Sequence, residues 1–304
     1  MKLLKKADKV IIVSPSSCIE PNALDKGINW LKNQGFEVKI AKHTYDSCSY
    51  TAGTDCDRAD DINKAFADNE IKAIFCSRGG AGSTKMLDYL DFDLIKNNKK
   101  PVFGLSDSTA LQNALYHKCG IVSYTGFLPV YDFKGDSLDD KITASLQNVF
   151  NGKGQTVCSG QQLNGGKAKG VLIGGNLSVL CYLCGTTYFP NLENKILLLE
   201  DIGEKTYKID LMLNQLKQQL NFDKLKGIIF GKFTDCIQIN NNDGSVENVL
   251  KNFALSLNIP VVFDFDYGHI KSRYVLPIGR EVELDADNLM LKIPRLGDIQ
   301  NFAN

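Results

Sequence analysis

The sequence predicts an α/β protein, with a doubly wound parallel-sheet domain followed by a smaller domain rich in β-strands. Three observations lead to this prediction. In the first half, short apolar segments alternate with helical ones, which is the pattern of parallel β-α-β units. These apolar segments are continuous, which indicates a sheet covered on both faces. In the second half, short strand patterns separated by turns outnumber the helical segments.

The elements of the first half follow one another in a regular order. The predicted strands are KVIIVSP, FEVKIAK, IKAIFCS, KPVFGL and IVSYTG. The helices between them are NALDKGINWLKNQG, RADDINKAFADNE, RGGAGSTKMLDYL and STALQNALYHKCG. Gly35 is expected to close the first helix, because glycine readily adopts the left-handed conformation that ends many helices.

Near residue 150 the composition changes to Gly, Asn and Gln with little apolar periodicity. We therefore predict a linker at residues 151–168, between domains 1–150 and 169–304. The strands predicted beyond it are GVLIGG, KILLLED, LKGIIFGKF, IPVVFDF, YVLPIG, EVELDAD and LMLKIP, and the helices are KIDLMLNQLKQQL and VENVLKNFALSLN.

Composition and charge limit the classes of partner. The 304 residues include 35 Lys and Arg against 35 Asp and Glu, a formal net charge of zero, so we expect neither nucleic acid nor a membrane as partner. The apolar run VIIV is shorter than the core of a signal peptide, about 7 to 15 residues, which favours a cytoplasmic protein.

The nine cysteines are an odd number and are expected to be reduced thiols. Cys181 and Cys184 lack a second ligand pair for zinc, so no metal is expected.

The segment Pro101–Gly120, PVFGLSDSTALQNALYHKCG, passes from a predicted strand into a predicted helix with almost no loop. Such a corner exposes a side chain beside the free N–H groups of the helix start, a position that suits a nucleophile. Gly104 and Ser106 match the hydrolase elbow G-x-S-x-G only in part. Two interpretations stay open: Ser106 is a nucleophile, or Ser108 or Asp107 is a plain helix N-cap.

A serine nucleophile needs a base that titrates near neutral pH, and histidine is the usual one. The chain has three histidines. His117 lies on the same predicted helix as Ser106, roughly 16 Å away at a rise of about 1.5 Å per residue, which excludes it. His43 lies in a polar segment typical of a solvated loop. His269 follows an apolar strand, and Gly268 before it allows a tight turn at the sheet edge, so His269 is the best candidate.

A carboxylate usually holds the tautomer of such a histidine. In KILLLEDIGE, a buried strand at residues 196–199 is followed by Glu200 and Asp201. Successive side chains on a strand point to opposite faces, so only one of the two carboxylates is expected to face the cleft. The alternative is that both mark a solvated strand end.

The glycine-rich segment Ser77–Lys85, SRGGAGSTK, follows a strand and opens a helix. Its glycines let backbone N–H groups point at an anion or at a developing oxyanion. It matches neither the Walker A pattern nor G-x-G-x-x-G. An oxyanion hole therefore fits better than a nucleotide cradle, if Ser106 is the nucleophile.

These motifs together resemble the LD-carboxypeptidase family, which also includes the microcin C immunity peptidases. The resemblance runs from VIIVSPSS through SRGGAGSTK, GLSDS, GVLIGGNLSVL and KILLLEDIGE to YGHI and LPIG. It implies an N-terminal flavodoxin-like domain and a C-terminal β-rich, barrel-like domain. It also implies a triad of Ser106, Glu200 and His269, and an oxyanion hole made by the backbone N–H groups of Gly80 and Asp107.

The sequence departs from the family pattern at some positions. Ala81 stands where the glycine loop commonly carries an aromatic residue, and Thr125 stands where a histidine is often found. The segment after His269 also differs, and its Lys271 and Arg273 either shape local recognition or are simply solvated. The residues that contact substrate are therefore left open.

By resemblance, the expected function is removal of the terminal D-alanine from muropeptide tetrapeptides during peptidoglycan recycling in the cytoplasm. The family also implies a homodimer that needs no cofactor and no metal. One alternative is a microcin C immunity-type peptidase that cleaves peptidyl-nucleotides, which the only tryptophan, Trp30 on an early helix, slightly disfavours. The other is a non-enzymatic, flavodoxin-like ligand sensor, in which Ser106 is only a cap.

Overall fold

The computed structural model describes residues 2–133, 137–238 and 244–298. Its strands are β1 (Lys9–Val13), β2 (Glu37–Ile40), β3 (Ile71–Cys76), β4 (Val102–Gly104), β5 (Ser123–Thr125), β6 (Gln155–Cys158), β7 (Gln161–Asn164), β8 (Lys167–Asn176), β9 (Lys195–Ile202), β10 (Gly227–Thr234), β11 (Val261–Phe263), β12 (Leu276–Ile278), β13 (Glu281–Asp285) and β14 (Met290–Ile293). Its α-helices are α1 (Asp25–Asn33), α2 (Asp55–Ala67), α3 (Ser83–Met86), α4 (Phe92–Asn97), α5 (Ser108–Cys119), α6 (Asp140–Phe150), α7 (Leu177–Cys181), α8 (Thr206–Lys217) and α9 (Val246–Leu255).

The first sheet contains five parallel strands in the order β2-β1-β3-β4-β5. This is the strand order of flavodoxin-like doubly wound sheets, so the predicted fold class is confirmed. Both faces are covered. On β3, Ile74 belongs to an apolar cluster that includes α2 and α5, whereas Phe75 belongs to one that includes α1 and α6. Burial on both faces explains why the strands are continuously apolar.

The sixth strand of this sheet, β12, comes from the second half of the chain and runs antiparallel to β5. The sequence places the segment YVLPIG in the second domain, and the structure corrects that prediction. The three residues of β12 are all buried, like the three residues of β11 in the second sheet. Nothing in so short an apolar segment indicates which sheet it joins, because its partner is distant in sequence.

The second sheet has eight strands in the order β6-β14-β13-β8-β9-β10-β11-β7. Its centre, β8 to β11, is parallel, and the flanking strands are antiparallel. The two edge strands, β6 and β7, are consecutive in the chain and are separated by only two residues. Since so short a connection keeps the two edges close together, the sheet curls in a barrel-like way.

Residues 151–168, predicted to be a linker, contain β6, β7 and the start of β8. The prediction fails here because β6 and β7 are edge strands with largely polar, exposed side chains, so they lack the apolar pattern of a covered strand. The division of the chain into domains at these boundaries stays a prediction.

Helix α5 joins the two halves of the molecule. Its residues 108–115 are all buried, which a surface helix does not show. The side-chain amide of Asn113 donates to the carbonyl of Gly174 on β8 at 2.9 Å, and the N–H of Gly174 donates to the Asn113 side-chain carbonyl at 2.9 Å. The middle of α5 is therefore held against β8 near its carboxyl end. Within the described ranges, no helix has both the length and the apolar character required to cross a membrane.

Candidate active site

Ser106 lies at a strained corner between β4 and α5. Its φ is +66°, in the left-handed region that costs a non-glycine residue about 1 to 2 kcal/mol. Leu105 and Asp107 on either side are buried, whereas Ser106 is partly exposed. The fold thus presents the Ser106 hydroxyl at the carboxyl end of the parallel sheet, where open α/β sheets bind their ligands.

Neither side chain that could act as a plain N-cap fills that role. Asp107 occupies the N-cap position of α5 without a capping hydrogen bond. The carboxylate of Asp107 instead accepts from the backbone N–H of Ser83 at 2.8 Å, and burial raises the pKa of this carboxyl. The Ser108 hydroxyl accepts from the N–H of Leu105 at 2.9 Å and donates to its carbonyl at 2.8 Å. Hydrogen bonds therefore link the corner to Leu105, just after β4, and to Ser83 in the glycine-rich segment.

Glu200 and His269 form a buried pair. The Glu200 Oε2 atom lies 2.8 Å from His269 Nδ1, and the two residues are 0% and 9% exposed. With the carboxylate accepting from Nδ1–H, the tautomer inferred for a neutral imidazole leaves Nε2 as a hydrogen-bond acceptor. Gly268 has a φ of +125°, and a Cβ there would lie 2.9 Å from Glu200 Oε2. Glycine is thus required for His269 to approach Glu200.

Asp201 points into a different network. Its Oδ2 atom accepts from the N–H of Ser178 at 3.0 Å and from the Ser178 hydroxyl at 2.5 Å. Burial raises the pKa of Asp201, opposed by these donors. The side-chain amide of Asn176 donates to Glu200 Oε1 at 3.2 Å and to Asp201 Oδ1 at 3.0 Å. Of the two carboxylates, only that of Glu200 contacts His269. Both are buried within β9, so neither marks a solvated strand end.

Two hydrogen-bonded connections bring the halves of the site together. The N–H of Asn176, which contacts Glu200, donates to Thr109 Oγ1 in the first turn of α5 at 2.9 Å. Thr125, which pairs with the end of β4 just before the Ser106 corner, places its hydroxyl 2.7 Å from that of Tyr267. Hydrogen bonds and strand pairing therefore link the elements that carry Glu200 and His269 to the residues on both sides of the Ser106 corner. Thr125, which stands where the family often has a histidine, lies beside it.

The glycine loop packs directly on the corner. A Cβ on Gly79 would lie 2.7 Å from the Cβ and 2.9 Å from the Oγ of Ser106. Gly80 has a φ of +114°, and the next N–H, that of Ala81, donates to the Ser17 hydroxyl at 3.1 Å. The buried Arg58 guanidinium donates to the carbonyl of Gly82 at 2.8 Å. The loop that carries the Gly80 N–H is thus fixed beside Ser106.

The substitution Gly79→Ala is expected to lower kcat severely, because its methyl group would displace Ser106 from its corner. Steady-state kinetics with a fluorophosphonate labelling assay would measure this. Gly297→Ala controls for backbone strain alone, because its φ of +104° disfavours alanine while a Cβ there meets no atom within 4 Å. It should leave kcat unchanged. Normal turnover in Gly79→Ala would show that the corner and the glycine loop do not cooperate.

The structure separates the two residues singled out after His269, because Lys271 is exposed, as the solvated alternative predicts, whereas Arg273 is not. Arg273 is 0% exposed, so it is not solvated. Its guanidinium donates to Asp132 at 2.5 Å and to the carbonyl of Ile270 at 2.6 Å. Tyr131 packs edge-to-face on His269, with ring centroids 6.1 Å apart. The sequence does not single out Asp132 and Tyr131, because they lie in a short 3-10 helix without a motif.

The other two histidines lie elsewhere. His117 is exposed in the last turn of α5. His43 places Nδ1 2.6 Å from Asp46 and, in the part of the chain described, forms a cluster of possible metal ligands with Asp60 and Asp61. Asp60 already pairs with a lysine, and Asp61 accepts from the N–H of His43 at 2.8 Å. We assign no metal site to this cluster.

Known proteins are similar to this chain along nearly its whole length. Family models described as the LD-carboxypeptidase N-terminal and C-terminal domains match residues 10–126 and 169–284. A probable murein peptide carboxypeptidase of Bacillus subtilis is 33% identical over 93% of this chain and 91% of its own. The murein tetrapeptide carboxypeptidase of Pseudomonas aeruginosa is 29% identical over 92% and 94%.

Solved structures agree with the sequence comparison. The muramoyltetrapeptide carboxypeptidase from Oxalobacter formigenes has a TM-score of 0.86 at 27% identity, covering 94% of this chain and 98% of its own. The microcin C7 self-immunity protein MccF of Escherichia coli is 27% identical over 92% of this chain and 90% of its own. A structure of MccF with glutamyl sulfamoyl guanosine has a TM-score of 0.88 at 25% identity, covering 96% and 97%. From both domain models and these full-length similarities, the chain belongs to the LD-carboxypeptidase family and is a serine-type carboxypeptidase.

Proposed function

We propose that this hydrolase acts through a triad in which Ser106 is the nucleophile, His269 the base and Glu200 the orienting acid. The observation that carries the proposal is the buried 2.8 Å contact between Glu200 and His269, on elements that hydrogen bonds link to the residues flanking the strained Ser106 corner. A sensor without enzymatic activity has no use for a histidine held by a buried carboxylate beside an exposed serine.

The proposed reaction begins when His269 Nε2 takes the proton of the Ser106 hydroxyl as its Oγ attacks the scissile amide carbonyl. The oxyanion of the tetrahedral intermediate is held by the backbone N–H groups of Gly80 and Asp107. His269 then protonates the leaving amine, and the C–N bond breaks. Water hydrolyses the acyl-enzyme in the second half, with His269 again as base. Glu200 stabilises the imidazolium in both halves.

For the substrate, we propose a muropeptide tetrapeptide whose terminal D-alanine is the leaving group. The names of the relatives from Pseudomonas aeruginosa and Oxalobacter formigenes support this substrate class. Family membership also leads us to propose that the protein works as a cytoplasmic homodimer in peptidoglycan recycling. None of the proposed steps requires a cofactor or a metal ion.

The peptidyl-nucleotide alternative receives less support from the aromatic residues. Trp30 packs against Phe127, Phe133 and Phe150, with ring centroids 5.6 to 6.4 Å apart. It is therefore part of the aromatic packing of the first domain, on α1.

Incubation with a muropeptide tetrapeptide is expected to release one D-alanine and leave the tripeptide, as measured by mass spectrometry. The same peptide ending in L-alanine is the control and should stay intact, and EDTA should not change the rate. A peptidyl-nucleotide should be incubated in parallel. Cleavage of that compound, with the tetrapeptide untouched, would overturn the proposed substrate in favour of the immunity-type activity.

A further inference from the structure

Arg78 begins the glycine loop directly beside the candidate nucleophile. It precedes Gly79, whose backbone packs on the Ser106 side chain. The Arg78 guanidinium donates one hydrogen bond, from Nη1 to the carbonyl of Cys18 at 3.0 Å. Cys18 follows Ser17, which accepts from the N–H of Ala81 in the same loop. Arg78 thus extends over a segment that borders the oxyanion loop.

The charge of Arg78 has no anionic partner among the residues that the structure describes. Two other arginines, Arg58 and Arg273, are paired with Asp55 and Asp132. Arg78 is partly buried, so its charge is only partly hydrated, and four of its five N–H donors make no hydrogen bond to described residues. A partly desolvated guanidinium with free donors is suited to a carboxylate ligand, which it can bind with two parallel hydrogen bonds.

The position of Arg78, next to the residue that packs on Ser106, suits the chemistry of a carboxypeptidase. In its substrate, the terminal carboxylate carbon is three bonds from the scissile carbonyl carbon, a path of roughly 4 Å. The Cα atoms of Arg78 and Gly79 are about 3.8 Å apart, and Gly79 touches Ser106. A long side chain that starts there can reach a carboxylate held next to the Ser106 hydroxyl.

We infer that Arg78 binds the free C-terminal carboxylate of the substrate and so restricts cleavage to the last peptide bond. This inference rests on the proposed function, because it assumes that Ser106 attacks a C-terminal amide bond. It assigns the site a specificity for anionic chain ends. A peptide extended beyond the carboxylate, or capped as an amide, would leave the guanidinium without its partner.

The test compares two substrates, a tetrapeptide ending in D-alanine and the same peptide ending in D-alaninamide. We expect the wild-type protein to favour the acid. Arg78→Met should reduce kcat/KM for the acid roughly 10- to 100-fold, the size expected for lost charged hydrogen bonds, with little change for the amide. The ratio of the two kcat/KM values then falls towards one. Arg78→Lys, which keeps the charge but loses the two-pronged geometry, should give an intermediate ratio.

The control is Arg295→Met, which removes an exposed arginine outside the site and should leave the ratio unchanged. A role of Arg78 limited to supporting the loop through Cys18 would slow both substrates equally, and an unchanged ratio in Arg78→Met would overturn the inference. Failure of the proposed function would look different, because the wild-type protein would then cleave neither substrate.

Discussion

Replacement of Ser106 by alanine is expected to lower kcat by roughly 10⁴- to 10⁶-fold, because the proposed mechanism has no other nucleophile. Labelling by a fluorophosphonate probe should disappear as well. The fold should persist, since the partly exposed hydroxyl contributes little to packing. Steady-state kinetics, labelling and thermal unfolding together measure these three effects.

A second variant separates chemistry from stability at the same position. Ser106→Gly also removes the nucleophile, but glycine adopts a φ of +66° without strain. It should therefore be inactive and more stable than Ser106→Ala, by about 1 kcal/mol in the free energy of unfolding. Turnover like that of the wild type in either variant, once contaminating peptidase is excluded, would disprove the serine mechanism.

Replacement of Glu200 by glutamine is expected to reduce kcat by as much as ~10⁴-fold, with a smaller change in KM. The amide no longer provides a charge to stabilise the imidazolium of His269, and its NH₂ group can turn towards Nδ1 and favour the wrong tautomer. Because glutamine has nearly the same shape, the buried position should still be filled.

The neighbouring variant Asp201→Asn is the matched control. Asp201 accepts from the N–H and hydroxyl of Ser178 and does not contact His269 in the described hydrogen bonds. The variant should lose about 1 to 3 kcal/mol of stability through these bonds and keep most of its kcat. A severe loss of kcat in Asp201→Asn, with near-normal Glu200→Gln, would reverse the assignment of the orienting acid.

Much of this arrangement can be predicted from local patterns. The strand-to-helix corner at Ser106 and the turn at Gly268 are determined by residues close in sequence, so the sequence indicates both. The choice between Glu200 and Asp201, in contrast, follows only from family resemblance. Alternation along a strand indicates that the side chains of two neighbouring residues point to opposite faces of the sheet. It does not indicate which of these faces meets the histidine.

Residues without a local pattern escape such prediction. Arg273 follows His269 in a polar segment, yet its charge is buried against Asp132, which lies 141 residues earlier in the chain. The edge strands β6 and β7 resemble a linker in sequence because their largely exposed side chains do not alternate between apolar and polar. In both cases the deciding contact is made by a partner that is distant in sequence.

The sequence by itself determined the alternation of strands and helices, the doubly wound α/β class of the first half and, through the resemblance of its motifs, the family. These follow from apolar periodicity, turn residues and short motifs, all of which act over a few neighbouring residues. Only the tertiary structure decided that β12 joins the first sheet, that Asn113 ties α5 to β8 and that His269 contacts Glu200. Such pairings depend on which distant surfaces become buried together, since burial selects the partner of a polar side chain only after the chain has packed.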